Sequence, residues 1–406
     1  MARPLSLKAE GFRTASLCAA LAVFVPAGLL AKITLVPVFG LLAISLLGAT
    51  ALTRTAQLRP MTLPGVVTVV LVVHMTGVLG LLSICSGCSG WAAGKALALA
   101  LIVWTASCGA AAGLGVCARR RIAYWLIGGL GAAVALLLFE NTTGGMISLR
   151  LASDPANQGW PLVRYNRATS ALVLLAWPAA GWLWSQHRRG AAWLLIALVT
   201  GVACIGDSAS AATAALLATG VFALACLAPR AVMWCGIGFT AGLAATAPWL
   251  FLALPDWLEP LADTVPATVL HRVEIWHATA TAILDRPLLG HGVDATRELD
   301  LVTIGARPYR LLTANPSHPH SLVLQLWLDL GLIGVVSAGL LLWCIIRHVT
   351  ALPDPWRGAA LAAAAAGVFT ALVSYGIWQE TWLCIAAITV LAFRALTGDA
   401  DPQGRG

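Results

Sequence analysis

Long apolar runs separated by short polar stretches occupy most of the 406-residue chain. About twelve runs approach or exceed the length of about 20 mostly apolar residues that a membrane-spanning helix needs. They lie at 14–31, 33–52, 64–83, 91–116, 122–140, 168–185, 191–206, 209–228, 231–254, 320–346, 358–377 and 379–396. The runs do not alternate polar and apolar residues as the strands of membrane barrels do. The pattern predicts an all-α integral membrane protein with about twelve transmembrane helices, forming a single polytopic domain over residues 1–406.

Composition agrees with this class of protein. The chain is 59% hydrophobic and 10% charged, whereas soluble domains carry about 25% charged residues. The net charge of +8 is spread over many short loops and therefore does not indicate nucleic-acid binding. The first apolar run follows Arg3, Lys8 and Arg13 as a signal peptide would, but another apolar run follows at once, so we interpret it as an uncleaved first span.

The distribution of basic residues predicts the orientation. With the N-terminus in the cytoplasm, most Lys and Arg residues of the short loops lie on the cytoplasmic side, among them Arg119, Arg120, Arg121, Arg188 and Arg189, as the positive-inside rule requires. Both termini are then cytoplasmic, and the large loop 255–319, between the ninth and tenth spans, lies outside. Cys85 and Cys88 share another loop, where a disulfide, a metal pair or no special role all remain open.

The large loop contains its own helix. Val269, Val273, Trp276, Ala280 and Ile283 recur at spacings of three and four, which predicts an amphipathic helix that begins near Pro266. The sequence DRPLLGHG then predicts a helix stop followed by a tight turn. We therefore expect short helices within this loop.

Basic and titratable residues gather at the outer ends of predicted helices. Arg164 and Arg167 precede the sixth span, His318 and His320 precede the tenth, and Arg272 lies in the loop helix. If these ends converge, they form a cationic cup suited to an anionic headgroup, above all a diphosphate, since arginine binds phosphate oxygens in bidentate fashion. Histidine can act there as an acid, a base or a phosphate ligand near neutral pH.

Other interpretations of these residues stay open. An arginine at a helix end can lie there only because its charged group reaches the interface, and Arg272 can pair with Glu274 or Asp285. Loop histidines are usually solvated, which is our interpretation of His271, His277 and His291. The stretch DSAS at 207–210 is consistent with a polar turn between two spans.

Three stretches in order resemble the O-antigen ligase and polymerase superfamily. NPSHPHSLVLQLWLDLGLIG (315–334) is similar to the family's His-containing stretch before a helix that ends in acidic–Leu–Gly–x–x–Gly. HRVEIWHATATAILDRPLLGHG (271–292) resembles the family's Arg–x–x–x–Trp helix and Pro-Leu-x-Gly-x-Gly turn. NRATSALVLLAWP (166–178) resembles the ligase-like members' arginine at the start of a mid-chain span. One departure is Ser321, where many members carry Asn.

The resemblance implies a membrane-embedded glycosyltransferase with a lipid-linked donor. A ligase would move a glycan from undecaprenyl diphosphate to a lipid A-core or similar acceptor at the periplasmic face of the bacterial inner membrane. Arg167 and Arg272, with Arg164, would bind the diphosphate. His320 would bind it or deprotonate the acceptor hydroxyl, with His318 as the substitute candidate. No cofactor is expected, and no metal either, because the only Asp-x-Asp, at 399–401, lies in the predicted cytoplasmic tail.

Three alternatives remain. A polymerase of the same superfamily shares the chemistry. A polysaccharide exporter or flippase would carry charges within its spans along a pathway, whereas these spans are nearly free of charge. A non-catalytic envelope assembly protein would tolerate the loss of Arg167, Arg272 and His320.

Overall fold

The described part of the chain is mostly α-helical. The computed structural model describes residues 7–30, 34–52, 114–151, 165–305 and 308–397. The predicted span 64–83, nearly all of 91–116, Arg164, and the pair Cys85 and Cys88 lie outside the described residues. The helices are α1 (Leu7–Leu30), α2 (Leu35–Leu52), α3 (Val116–Thr142), α4 (Met146–Leu151), α5 (Asn166–Ser185), α6 (Arg189–Ile205), α7 (Ala209–Leu227), α8 (Pro229–Leu258), α9 (Ala267–Asp285), α10 (Leu301–Ile304), α11 (Leu322–Ala351), α12 (Trp356–Val373) and α13 (Glu380–Thr397).

The all-α class predicted from the apolar runs is confirmed for the described residues. Seven of the described helices are long and apolar enough to cross a membrane, namely α1, α3, α7, α8, α11, α12 and α13, while α2 and α6 contain shorter apolar stretches. Many large apolar side chains point away from the protein, for example Leu41, Ile44 and Leu227, as expected of helices whose outer faces meet lipid. The number of twelve spans and the periplasmic position of the large loop stay predictions.

Helix α5 lies at the centre of the larger helix bundle. Every residue from Ala168 to Leu183 is buried, and the helix packs against α6, α12 and α13. Small residues such as Ala168, Ala171 and Ala179 are fully buried in it and allow neighbouring helices to approach closely. Arg167 lies in the first turn of α5. The packing of α5 therefore fixes the backbone position of Arg167.

Helices α8, α9 and α11 form a second cluster beside the bundle. Helix α9 is the predicted amphipathic helix, and it begins after Pro266 as expected. Val273, Ala280 and Ile283 are buried, whereas Val269 on the same predicted face is 39% exposed. The first turn of α9 is exposed and burial begins only at Leu270.

Helix α11 is interrupted at Gly331, whose φ of 61° is left-handed. The amides of Leu332 and Ile333 donate to the carbonyls of Pro287 and Leu288, at 2.8 and 3.3 Å, instead of to the preceding turn of α11. The carbonyls of Leu328 and Asp329 in turn accept from His291 and Gly292, at 2.7 and 2.9 Å. Non-helical backbone within a membrane helix needs such partners. The PLLGHG and DLGLIG sequences therefore bind each other.

Both sequences need glycine at this contact. A Cβ on Gly331 would lie 2.4 Å from the carbonyl carbon of Leu288, and one on Gly290 would lie 2.5 Å from that of Asp329. Gly290 also has a positive φ of 74°, which costs other residues conformational energy. The two glycine-containing motifs are thus explained by backbone packing.

Candidate active site

The turn His318-Pro319-His320 lies directly before α11. Ser321 is the N-cap of α11 and its hydroxyl accepts from the Leu324 amide. Ser and Asn are about equally preferred at an N-cap, so the departure from Asn at this position keeps the capping role. The ring centroids of His318 and His320 are 4.1 Å apart, and the His320 amide donates to Nδ1 of His318 at 3.2 Å.

His320 adopts a strained backbone conformation. Its φ is 52°, and such left-handed non-glycine residues cost about 1–3 kcal/mol and concentrate at functional sites. Two hydrogen bonds stabilise the conformation. One runs from the His320 backbone amide to Nδ1 of His318, and the other joins the His320 ring Nδ1 to the carbonyl of Ser374 at 3.0 Å. A carbonyl can only accept, so Nδ1 of His320 carries the proton and Nε2 is left as an acceptor.

A second segment, Ser374–Trp378 between α12 and α13, braces this turn. Besides accepting from His320, it donates the Ile377 amide to Gln325 Oε1 at 2.8 Å and the Trp378 indole N–H to Asp329 at 2.6 Å. Gly376 lies against His318, because a Cβ there would be 3.0 Å from the His318 side chain. These contacts run along one face of the first half of α11 and hold both histidines in place.

The buried carboxylate of Asp329 connects the Ser374–Trp378 segment to the turn at residues 294–297. It also accepts from the amides of Asp294 and Ala295, each at 3.2 Å. That turn carries Arg297, which pairs with Asp294 at 2.8 Å while remaining 60% exposed.

Arg272 and Arg167 have no carboxylate partner within ion-pair distance among the residues that the structure describes. Glu274 does not pair with Arg272, since it is fully buried and accepts from the amides of Tyr309, Leu311 and Leu312 at 2.6–2.8 Å. The alternative that Arg272 pairs with Glu274 or Asp285 is therefore wrong. Arg167 lies one turn before Ser170, whose hydroxyl accepts from Tyr375 at 3.3 Å, so the Ser374–Trp378 segment also contacts α5.

Arg167 and Arg272 both lie near enough to the histidine pair for their charges to act on His318. We call Arg167, Arg272, His318 and His320 the cationic cup. Burial and the surrounding positive charges lower the pKa of His318 to about 3; those charges belong to His320, Arg297, Arg167 and Arg272. The pKa of His320 is also lowered, first by burial and also by Arg272 and His271. Burial lowers the pKa of Arg272 as well. Both histidines are therefore neutral near pH 7, beside unpaired guanidinium groups.

The structure thus brings together four of the five predicted site residues, and the fifth, Arg164, lies outside the described part. Sequence reasoning missed Arg297, Gln325, Ser374, Gly376 and Trp378. The predicted span 358–377 included Ser374 to Ile377, whereas α12 ends at Val373, so the apolar pattern concealed this segment. His291 is not a solvated loop residue as interpreted, because its Nε2 contacts the carbonyl of Ala282 at 2.8 Å. The same interpretation is wrong for His277, because its Nδ1 is buried and has no hydrogen-bond partner in the described part of the chain.

The arrangement can bind an anion and accept a proton. Two guanidinium groups supply charge-assisted donors for phosphate oxygens, and a neutral imidazole beside them supplies a lone pair. In the described part of the chain, no three His, Cys, Asp or Glu side chains are grouped so that they could hold a metal ion.

Helices of this length and composition, with a polar site at their ends, define a multi-pass membrane protein. Residues 162–339 match the family described as O-Antigen ligase. The chain is 25% identical over 294 residues to a protein of Rickettsia conorii named "Putative polysaccharide ligase", covering 70% of this chain and 68% of that protein. Proteins of the same name in Rickettsia felis and Rickettsia prowazekii are each 25% identical, covering 68% of this chain and 67% and 68% of theirs. These matches support the O-antigen ligase superfamily and confirm the resemblance found in the three motifs.

Proposed function

We propose that this protein is a glycosyltransferase of the O-antigen ligase type. It moves a glycan from undecaprenyl diphosphate to a lipid A-core or similar acceptor at the periplasmic face of the inner membrane. The observation that carries the proposal is the cationic cup: unpaired Arg167 and Arg272 beside the neutral pair His318 and His320, within the segment that matches the family.

Arg167 and Arg272 bind the diphosphate of the donor. A sugar diphosphate lipid carries two negative charges, and the two guanidinium groups offset them. Each arginine can hold two phosphate oxygens at once. The half-buried position of Arg272 and its lack of a carboxylate partner support this role, because a buried cation without a partner is costly until an anion binds.

The hydrogen-bond partners support different roles for the two histidines. Nε2 of His320 is the free lone pair, so His320 accepts the proton of the acceptor hydroxyl. Nδ1 of His318 accepts from a backbone amide, so its Nε2 carries the hydrogen and donates to a phosphate oxygen.

The proposed transfer step conserves atoms and charge. The acceptor oxygen gives its proton to His320 and attacks the anomeric carbon. The bond from that carbon to the phosphate oxygen breaks, and its electron pair stays on the departing undecaprenyl diphosphate. The diphosphate gains one negative charge while His320 gains one positive charge, and preorganised cations nearby stabilise this charge separation.

Ligase activity is favoured over polymerase activity by the arginine at the start of α5 and by the relatives named as polysaccharide ligases. A polymerase would use the same cup with another lipid-linked repeat unit as acceptor. Free cations clustered at one end of the helices argue against a transport pathway through the spans.

Complementation of a strain that lacks its own ligase tests the proposal. The wild type, His320→Ala, Arg272→Ala and Arg167→Ala are compared at matched membrane levels, with His348→Ala at the opposite end of α11 as control. We expect polysaccharide on the lipid A core with the wild type and His348→Ala and none with the other three. If the wild type adds no polysaccharide to the lipid A core although the donor is compatible, a polymerase is favoured. If the variants of Arg167, Arg272 or His320 still add polysaccharide, the catalytic assignment is refuted.

A further inference from the structure

A third arginine, Arg297, lies next to the cationic cup. It ends the short turn at residues 294–297, which comes shortly after the PLLGHG sequence. Ala295 and Thr296 of this turn are buried, whereas the side chain of Arg297 is 60% exposed. The buried residues fix the turn, and the proposed transfer chemistry gives Arg297 no role.

Backbone hydrogen bonds hold this turn against α11. The amides of Asp294 and Ala295 donate to the Asp329 carboxylate, each at 3.2 Å. The same carboxylate accepts from the indole N–H of Trp378 at 2.6 Å, and Trp378 belongs to the segment between α12 and α13. The turn is therefore tied to the segment that also holds both histidines.

The charge of Arg297 acts on His318 as the charges of the cup arginines do. Burial is the chief cause of the lowered pKa of His318, and nearby positive charges add to its effect. Among the arginines, Arg297 has the largest influence, followed by Arg167 and Arg272. An anion bound beside His318 would therefore be acted on by three guanidinium groups.

Arg297 differs from Arg167 and Arg272 because it has a carboxylate partner. Its Nε lies 2.8 Å from Oδ2 of Asp294, three residues earlier. A largely exposed pair of this kind contributes little stability, so an anion can compete with Asp294 for the guanidinium. Among the described residues, the positive charges of the site that lack a carboxylate partner are then those of Arg167 and Arg272.

The charge of the proposed donor changes during transfer. Both phosphates are diesters while the sugar is attached, so the donor carries two negative charges, one for each unpaired arginine. When the bond to the sugar breaks, the terminal phosphate becomes a monoester, whose second ionisation has a pKa of about 6. The leaving group therefore carries a third negative charge at neutral pH, and this charge arises only as the bond breaks.

We propose that Arg297 stabilises the departing undecaprenyl diphosphate by binding the terminal phosphate oxygen on which the new charge develops. The inference rests on the proposed function. An interaction that strengthens as the bond breaks lowers the activation barrier, whereas equal binding of the donor and the transition state does not. Because Asp294 offsets the charge of Arg297 beforehand, Arg297 contributes little to donor binding. Arg297 is thus a catalytic residue with a task distinct from that of the two arginines that hold the donor.

Transfer and binding measurements on the purified full chain in detergent test this inference. Transfer is followed in a single turnover with a lipid-linked donor and a lipid A-core acceptor, so that product release does not limit the rate. The binding probes are undecaprenyl diphosphate carrying one N-acetylhexosamine and bare undecaprenyl diphosphate.

We expect Arg297→Gln to lower the single-turnover rate about 10-fold and to weaken binding of the bare lipid about 10-fold, the effect of one lost charge-assisted hydrogen bond. Binding of the sugar-bearing lipid should stay within about twofold, because Arg297 acts on the charge that this lipid does not yet carry.

Two further variants serve as controls. Arg297→Lys keeps the charge, so its single-turnover rate should fall less than that of Arg297→Gln. Arg286→Gln removes an exposed arginine just after α9 and should change neither the rate nor the binding of either lipid. Thermal unfolding confirms that the three variants keep the fold.

The outcomes separate this inference from the proposed function. Equal weakening of both lipids by Arg297→Gln means that Arg297 binds the donor, which overturns the inference. So does an unchanged single-turnover rate, or an equal loss of rate in Arg297→Lys and Arg297→Gln. If the wild type transfers no glycan, or if Arg167→Ala and Arg272→Ala stay fully active, the proposed function itself fails.

Discussion

Trp276 donates its indole N–H to the carbonyl of Pro319 at 2.9 Å. This bond ties α9 to the middle of the His318-Pro319-His320 turn, 43 residues further along the chain. The arginine and tryptophan of the Arg–x–x–x–Trp pattern therefore have separate tasks. Arg272 offers a charge to the site, and Trp276 holds the turn that carries both histidines.

Replacing Trp276 with Phe should reduce turnover without unfolding the protein. An aromatic ring is kept while one hydrogen bond of about 1 kcal/mol is lost, so we expect kcat to fall about fivefold. Trp327→Phe is the matched control, since its indole N–H also donates to a backbone carbonyl, that of Ala244, at 2.7 Å. Equal losses of kcat in the two variants would show that Trp276 has only a general structural role.

His320→Ala should lower kcat more than His318→Gln does. General base catalysis contributes about 10²–10⁴-fold, whereas His318 supplies one hydrogen bond to a phosphate oxygen. Transfer is measured with purified protein, a lipid-linked donor and a lipid A-core acceptor. A larger loss with His318→Gln would reverse the roles assigned to the two rings.

The pH dependence of kcat/KM should show an acid limb below the ordinary histidine pKa of about 6.5. The pKa of His320 is lowered, chiefly by burial, so its neutral, proton-accepting form persists to lower pH than that of a free imidazole. Activity is then lost only as pH falls through the lowered value. An acid limb centred above 6.5 would contradict this assignment of the base.

Arg272→Lys and Arg167→Lys should weaken donor binding although the charge is retained. Lysine is a point charge and cannot make the bidentate contact that guanidinium makes with phosphate. Loss of one charge-assisted hydrogen bond of about 1.5–3 kcal/mol predicts a Kd about 10–150-fold higher. Arg286→Lys, an exposed arginine just after α9, should leave the Kd unchanged.

Gly331→Ala should destabilise the protein because its backbone is left-handed and its Cβ would meet Leu288. Gly339→Ala on the same helix has no neighbour within 4 Å and serves as the control. We expect the unfolding temperature in detergent to fall by several degrees for Gly331→Ala alone. Similar values for both variants would mean that the contact between the PLLGHG and DLGLIG sequences contributes little.

The sequence predicted the residues of the cationic cup better than the residues that position them. Arg167, Arg272, His318 and His320 stand out because charged and titratable residues are rare in an apolar chain. Ser374 and Gly376 carry no such signal, since their contribution is a carbonyl group and the absence of a side chain. Arg297 was missed because nothing in its local sequence separates it from other loop arginines.

Apolar runs and the spacing of apolar residues by themselves determined the helical class and the approximate positions of the long described helices, because apolar length and periodicity are local properties of the chain. The short helices α4 and α10 were not located in this way. Only the tertiary structure decided which ends meet. The break at Gly331, the turn around Pro319 and the brace by Ser374–Trp378 depend on backbone groups of segments far apart in sequence. The spacing of residues along the sequence does not reveal hydrogen bonds between such distant segments. These hydrogen bonds place the histidines beside the arginines.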